Sequence, residues 1–171
     1  MTKSVAVDAA HDLQGGDVIT LSTGIQARLT PVATGLLDDV QARIKEPKVP
    51  MWKNPEKEGA EEENYNDPAY LDAVTEARRK RGEAMMDAML LFGVELLDPV
   101  PPDEEWLPKL RMMAKRGMLP LDDYNTEDPV EKEFIYKRWI AVAATDYRKL
   151  TELCGLTAAG VEAAEDSFRN Q

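Results

Sequence analysis

Residues 67–97 read DPAYLDAVTEARRKRGEAMMDAMLLFGVELL, and their periodicity decides the fold class. Asp67 is an N-cap residue and Pro68 follows it at the first helical position, where its missing N–H costs nothing. Downstream, Met85, Met89, Phe92 and Leu96 recur at spacings of three to four, with Met86, Leu90, Val94 and Leu97 beside them. That spacing predicts one long helix from Pro68 to about Leu97, stopped by Asp98-Pro99 and Pro101-Pro102. Gly82 divides it into a charged first half and a second half whose apolar face is wide enough for burial on two sides.

Upstream, the period changes. Ile19 and Leu21 alternate with polar residues, as do Ile25, Ala27 and Leu29, which is the pattern of a half-buried hairpin over residues 18–29. A two-residue turn at Thr23-Gly24 would put the two apolar sets on opposite faces. A three-residue loop, Ser22-Thr23-Gly24, pairs Leu21 with Ile25 and Ile19 with Ala27, and gives Gly24 the left-handed position such loops need. A lone hairpin is marginal in water, so it must pack on helices or join a neighbouring sheet. Leu36, Leu37, Val40 and Ile44 predict a short amphipathic helix ending before Pro47. Residues 45–66 read as a loop, stiffened by Pro47, Pro50 and Pro55, with five Glu against one Lys over 56–63.

Downstream of 97, a third helix is expected over 106–116, with Pro108 in its first turn and Gly117 as its C-cap. Asp128-Pro129-Val130-Glu131 is a capping box opening a helix with Val130, Phe134, Ile135, Trp139 and Val142 as its core face. Another helix over about 146–154 ends at Gly155 and Leu156, and Thr157 caps a last one carrying Val161, Ala164 and Phe168. The expected architecture is mainly α: a flexible tail over 1–16, then a single small helical domain over 17–171 of about five to six helices with an N-terminal β-hairpin.

Composition narrows the function classes. Twenty-one Lys and Arg against 32 Asp and Glu leave a net charge of −11, which argues against binding a phosphate backbone or anionic lipid. The longest apolar run, residues 88–94, is far short of the ~20 needed to span a bilayer. One Cys and no secretory pattern predict a cytoplasmic protein without an internal disulfide. His11 and Cys154 are too few for a zinc site, and residues 122–133 fail as a calcium loop because Tyr124 and Glu127 occupy positions needing a ligand and a glycine. Cys154, in the last turn of its helix, reads as a small apolar filler. No nucleophile, phosphate loop or placed acid–base pair emerges, so the expectation is a non-enzymatic protein with no cofactor and no metal.

Three features point to binding. Arg78-Arg79-Lys80-Arg81 reads as paired, locally through Glu76 and Glu83 or with an acidic segment such as Glu61-Glu62-Glu63, in preference to a nucleic-acid contact. Six of the eight Met lie between Met85 and Met118, so Met85, Met89, Met112 and Met113 are candidates either for a core between adjacent helices or for an adaptable contact surface. Met51 and Trp52, in the apolar knot VPMW at 49–52, are either a strap folded over the core or an anchor for a partner. Ile19, Leu21 and Ile25 are candidates for self-assembly through the hairpin.

The stretches VITLSTG at 18–24, VPMW at 49–52, NDPAYL at 66–71, FGVEL at 92–96, GLT at 155–157 and AEDSF at 164–168 together resemble the tail assembly chaperones of long-tailed bacteriophages. The resemblance covers most of the chain from residue 18 and implies a non-enzymatic role. Such proteins coat the tape-measure protein, keep it soluble in the host cytoplasm and leave before the virion matures. It implies a tape-measure or other tail protein as partner, and a possible homo-oligomer. It transfers no residue-level site. A structural head–tail or tail-completion component, and an acidic DNA-mimic inhibitor, are the alternatives. Acidity concentrated over 56–67, where six acids and one Lys give −5, favours a protein-binding surface over a DNA mimic.

Overall fold

A computed structural model describes residues 16–54 and 59–155. The expected tail up to Gly15 with His11, the Leu156 contact and the Thr157 helix lie outside the described residues. Among the described residues helices account for 55% and strands for 13%, with the N-terminal hairpin present, so the fold mixes α and β and carries more strand than the sequence suggests. Its contacts group into two compact units, Gly35–Ala88 and a second made of Met1–Thr34 with Met89–Gln171.

The larger unit is built on a three-stranded antiparallel sheet. Strand β1 (Asp17–Thr20) pairs with β2 (Gln26–Leu29), setting Ile19 against Ala27, and the Leu21 N–H donates to the Ile25 carbonyl at 2.8 Å. The Gly24 N–H closes the turn on the Leu21 carbonyl at 2.8 Å, with φ at +89°. The three-residue loop is therefore the one the alternation predicts. Gly16 lies so close to the Leu29–Thr30 backbone that a Cβ there would sit 1.6 Å from the Leu29 carbonyl oxygen.

The third strand corrects the long-helix expectation. Helix α2 (Pro68–Phe92) stops one residue before Gly93, and Val94–Leu96 forms β5 along the free edge of β2. Gly93 explains the switch. A Cβ there would lie 2.9 Å from the Cys154 Cβ, the Met89 carbonyl oxygen and Val32 Cγ2, so any larger residue collides with the core. After it, Val94 and Leu96 fit the period of a strand as well as that of a helix. Val94 faces the row of Leu29, Leu96 joins the row of Ile19 and Ala27, and Glu95 pairs outward with Arg28 at 2.8 Å. Ala27 and Leu29 are completely enclosed, at 0% and 1% exposure.

The helices of this unit follow. Helix α3 (Asp103–Lys115) carries Trp106, Leu107 and Leu110 into the core. It begins at Asp103, so Pro108 falls in its second turn and not its first. Its end is a Schellman cap: Met118 N–H to the Met113 carbonyl at 3.1 Å and Gly117 N–H to that of Ala114 at 2.8 Å, with Gly117 at φ +70°. Helix α4 (Pro129–Tyr136) is capped by the Asp128 carboxylate, which accepts from the N–H groups of Val130 and Glu131. The Glu131 carboxylate turns to the Asn125 N–H at 2.6 Å, not back to Asp128, so the box is opened by one turn. Phe134 and Ile135 are buried as expected, whereas Val130, in the first turn, is 68% exposed. A π-helical turn, Lys137–Ala141, continues α4; the expected single helix over 146–154 is a short α5 (Tyr147–Leu150) followed by a second π turn, Thr151–Gly155.

The smaller unit holds helix α1 (Thr34–Ala42) from Gly35 onward, a hairpin, and α2 as far as Ala88. Residues 45–66, expected as loop, contain strands β3 (Met51–Asn54) and β4 (Ala60–Glu63), paired antiparallel. Trp52 suits a pleated strand, and the register sets Lys53 opposite Glu61. The Asn64 N–H extends the ladder to the Pro50 carbonyl at 2.8 Å. Asp67 caps α2 as expected, accepting from the Tyr70 N–H at 3.0 Å.

Candidate functional site

The expected partner-binding residues divide between the two units. Met51, Trp52 and Met85 belong to Gly35–Ala88, and Met89, Met112 and Met113 to the larger unit. Their surroundings differ as much as their positions. Met89 is a core residue at 3% exposure, and Met85 is half-buried, its thioether accepting from Gln41 Nε2. Met113 is half-buried, while Met112 and Met118 stand in solvent. The methionine cluster in the sequence is thus part core and part surface.

Met51 and Trp52 are the clearest surface pair. They begin β3, and they are 56% and 45% exposed, so the knot is displayed and not folded away. The register places Met51 opposite Glu63 and Trp52 opposite Glu62. Tyr65, just past β4, is 56% exposed; its ring meets Tyr70 edge-on at 6.2 Å and its hydroxyl donates to Glu63. That hydrogen bond and the Glu63 charge push the Tyr65 phenol above its usual value. Leu71, in the first turn of α2, is 49% exposed. Large apolar side chains bordered by carboxylates on a hairpin can contact a partner's apolar surface while favouring one that carries cations.

The basic run is tied to its own unit. Arg79 bridges Glu76 at 2.7 Å and Glu83 at 2.5 Å, and Lys80 lies 3.6 Å from Glu76. The Arg79 hydrogen bond holds the Glu76 carboxyl down to about 2. Arg81 donates to the Ile44 carbonyl at 2.9 and 3.1 Å and to Glu46 at 3.1 Å, closing the C-terminal end of α1.

Of the hairpin residues expected to self-assemble, Leu21 is core at 2% exposure, and Ile19 and Ile25 are half-buried. The β2 edge is already taken by β5. The turn itself is anchored, through a residue that sequence reasoning passed over. Asp146, 2% exposed, accepts from Ser22 N–H at 2.9 Å and Ser22 Oγ at 2.6 Å through one carboxylate oxygen, and from Ala143 N–H at 3.0 Å through the other. Thr23 Oγ1 adds a hydrogen bond to the Ala141 carbonyl at 2.5 Å. The partners lie 124 residues apart, so no local pattern announces them.

Cys154 is a filler, as expected: 2% exposed, its thiol donating to the Gly93 carbonyl at 3.3 Å. Burial pushes the thiol up to about 11, which leaves it un-ionised near neutrality. Among the described residues no group of three or more His, Cys, Asp or Glu could hold a metal ion, and no helix is long and apolar enough to cross a membrane. Family models, curated proteins and solved structures were compared with the chain, and none of them matches it.

Proposed function

We propose that this chain is a non-enzymatic tail assembly chaperone of a long-tailed bacteriophage, binding the tape-measure protein in the host cytoplasm and keeping it soluble. On this reading the whole chain is a mainly α-helical domain of five to six helices that carries its contact surface on added strands. The observation that supports the role is the hairpin of β3 and β4, where Met51 and Trp52 are held in solvent beside Glu61, Glu62 and Glu63. An exposed Trp is a strong anchor, because its ring buries a large area at small entropy cost. The carboxylates beside it keep the free protein soluble, and they let a client bearing Lys and Arg displace water at the rim. The stretches that resemble tail assembly chaperones are the reason for naming the tape-measure protein as the client.

Co-expression with the tape-measure protein from the same phage tests the reading. The client is soluble with this chain and precipitates without it, and the double variant Met51→Ser/Trp52→Ser loses most of that protection while keeping its helical circular dichroism. Equal client solubility in all three cases overturns the chaperone role, as does recovery of the chain in stoichiometric amount from purified virions, which would make it a tail component.

A further inference from the structure

The larger unit carries a surface feature that the chaperone reading does not use. Between α3 and the turn Leu121–Asp123 lies a cleft of about 400 Å³, within the roughly 300–1,000 Å³ range of small-molecule sites. Leu121, 5% exposed, forms part of its apolar floor. Tyr124 also lines the cleft, and its ring is held in place by Trp139, edge-on at 5.4 Å, and by Phe134 at 5.8 Å. The wall from α3 brings Arg111 and Lys115, four residues apart and so on one side of the helix. Both are exposed, and neither forms a salt bridge with another described residue. Lys132, the neighbouring cation on α4, is already neutralised by Asp103 at 2.9 Å. Asp122 supplies the one carboxylate of the lining, so the cleft carries two cations against one anion in a chain of net charge −11.

We propose that this cleft binds a small organic monoanion, a planar carboxylate on a compact apolar body. Arg111 and Lys115 hold the carboxylate, and Leu121 and Tyr124 cover the body. A guanidinium fork matches a planar carboxylate through two parallel hydrogen bonds, and an ammonium one turn away adds a second donor. Charge decides against a phosphate-like dianion: after Asp122 the lining has one net positive charge, which balances one negative charge and not two. The apolar floor, which inorganic phosphate would leave uncovered, points the same way.

Titration of the full-length, ¹⁵N-labelled protein with phenylacetate, phenylacetamide and inorganic phosphate tests the assignment at physiological salt. Phenylacetate shifts the amides of residues 111–126 saturably, and the neutral amide and phosphate each bind at least tenfold more weakly. Arg111→Gln and Lys115→Gln, both at exposed positions, each weaken phenylacetate about tenfold with the rest of the spectrum unchanged. The proposal is overturned if acid and amide bind equally, if phosphate binds more tightly than phenylacetate, if the shifts spread over the surface without saturating, or if Arg111→Gln keeps full affinity. None of these outcomes bears on client solubility, so the cleft and the chaperone role stand or fall separately.

Discussion

Replacing Asp146 tests what holds the β1–β2 turn in place. Its carboxylate receives three hydrogen bonds, at 2.9, 2.6 and 3.0 Å, while 2% exposed. Hydrogen bonds to a charged group contribute about 1.5–3 kcal/mol each, so the gross sum is about 4.5–9 kcal/mol. Two effects reduce it. Burying the carboxylate opposes folding, and Ser22, which is exposed, recovers water when its acceptor is removed. Asp146→Ala should therefore destabilise the larger unit by about 2–4 kcal/mol, and Asp146→Asn, which keeps one carbonyl oxygen, by about 1–2 kcal/mol. Native-state hydrogen exchange reads this locally: amides of the turn, Leu21 and Gly24, should lose protection by roughly 30–700-fold in the Ala variant. The pH dependence supplies a second arm. Burial alone would raise this carboxyl, but the Ser22 hydroxyl, the Ser22 N–H and the Ala143 N–H together bring it below its usual 3.8. A lowered folded value means the contribution is complete above 3.8 and is lost as pH falls through the folded value. Wild type and Asp146→Asn should thus keep their full difference in stability down to about pH 3.8 and converge only as pH falls through the lowered folded value. An Ala variant within 0.5 kcal/mol of wild type by urea melt, with turn protection unchanged, would refute the anchor, 0.5 being roughly the scatter of neutral surface changes.

Gly93→Ala should cost about 1–3 kcal/mol, because one of the atoms 2.9 Å from the new methyl is a backbone carbonyl oxygen that cannot rotate away; a urea midpoint equal to wild type would show the space exists. The Cys154 thiol, buried and pushed up to about 11, should react with a disulfide reagent at pH 8 only as fast as the unit opens, and at full rate in denaturant. The Glu76 carboxyl carbon should titrate near 2 in a ¹³C NMR experiment, well below exposed glutamates at about 4.3; its pairing with Arg79 is then complete above about 4.5 and lost on descent towards 2, and Arg79→Gln should return the midpoint to the ordinary range.

What the sequence made legible was the part governed by short-range rules. The hairpin register followed from alternation and one glycine, and the caps at Asp67, Asp128 and Gly117 followed from the few residues that can satisfy helix ends. The failures share a cause. Val94 and Leu96 satisfy both a helical and a strand period, and what separates the two is the tight packing of Gly93 on Val32 and Cys154, a tertiary fact. Residues 51–54 and 60–63 looked like solvated loop because Glu61, Glu62 and Glu63 carry no alternation of their own; strand character lay in Trp52 and in the opposition of Lys53 to Glu61. Of the binding residues, Met51 and Trp52 were legible as an apolar knot, but whether they faced inward or outward depended on pairing partners twelve and ten residues away. The cleft at Arg111 and Lys115 left no mark in the sequence beyond an i,i+4 pair of cations, a pattern that any solvated helix can carry.

The order in which the sheet is completed has a consequence during synthesis. β1 and β2 leave the ribosome early, yet β2 gains its second neighbour only when Val94–Leu96 emerges, and the turn gains its anchor only with Asp146, 124 residues after Ser22. At about 5–20 residues per second that gap lasts roughly 6–25 s. Val32 waits almost as long, since its N–H donates to the Cys154 carbonyl at 2.8 Å. Until Val94–Leu96 emerges the nascent chain displays an open strand edge beside Leu29, and a product truncated before residue 94 keeps that edge open permanently. Premature termination therefore yields a sticky fragment, where a full-length chain closes the edge by itself.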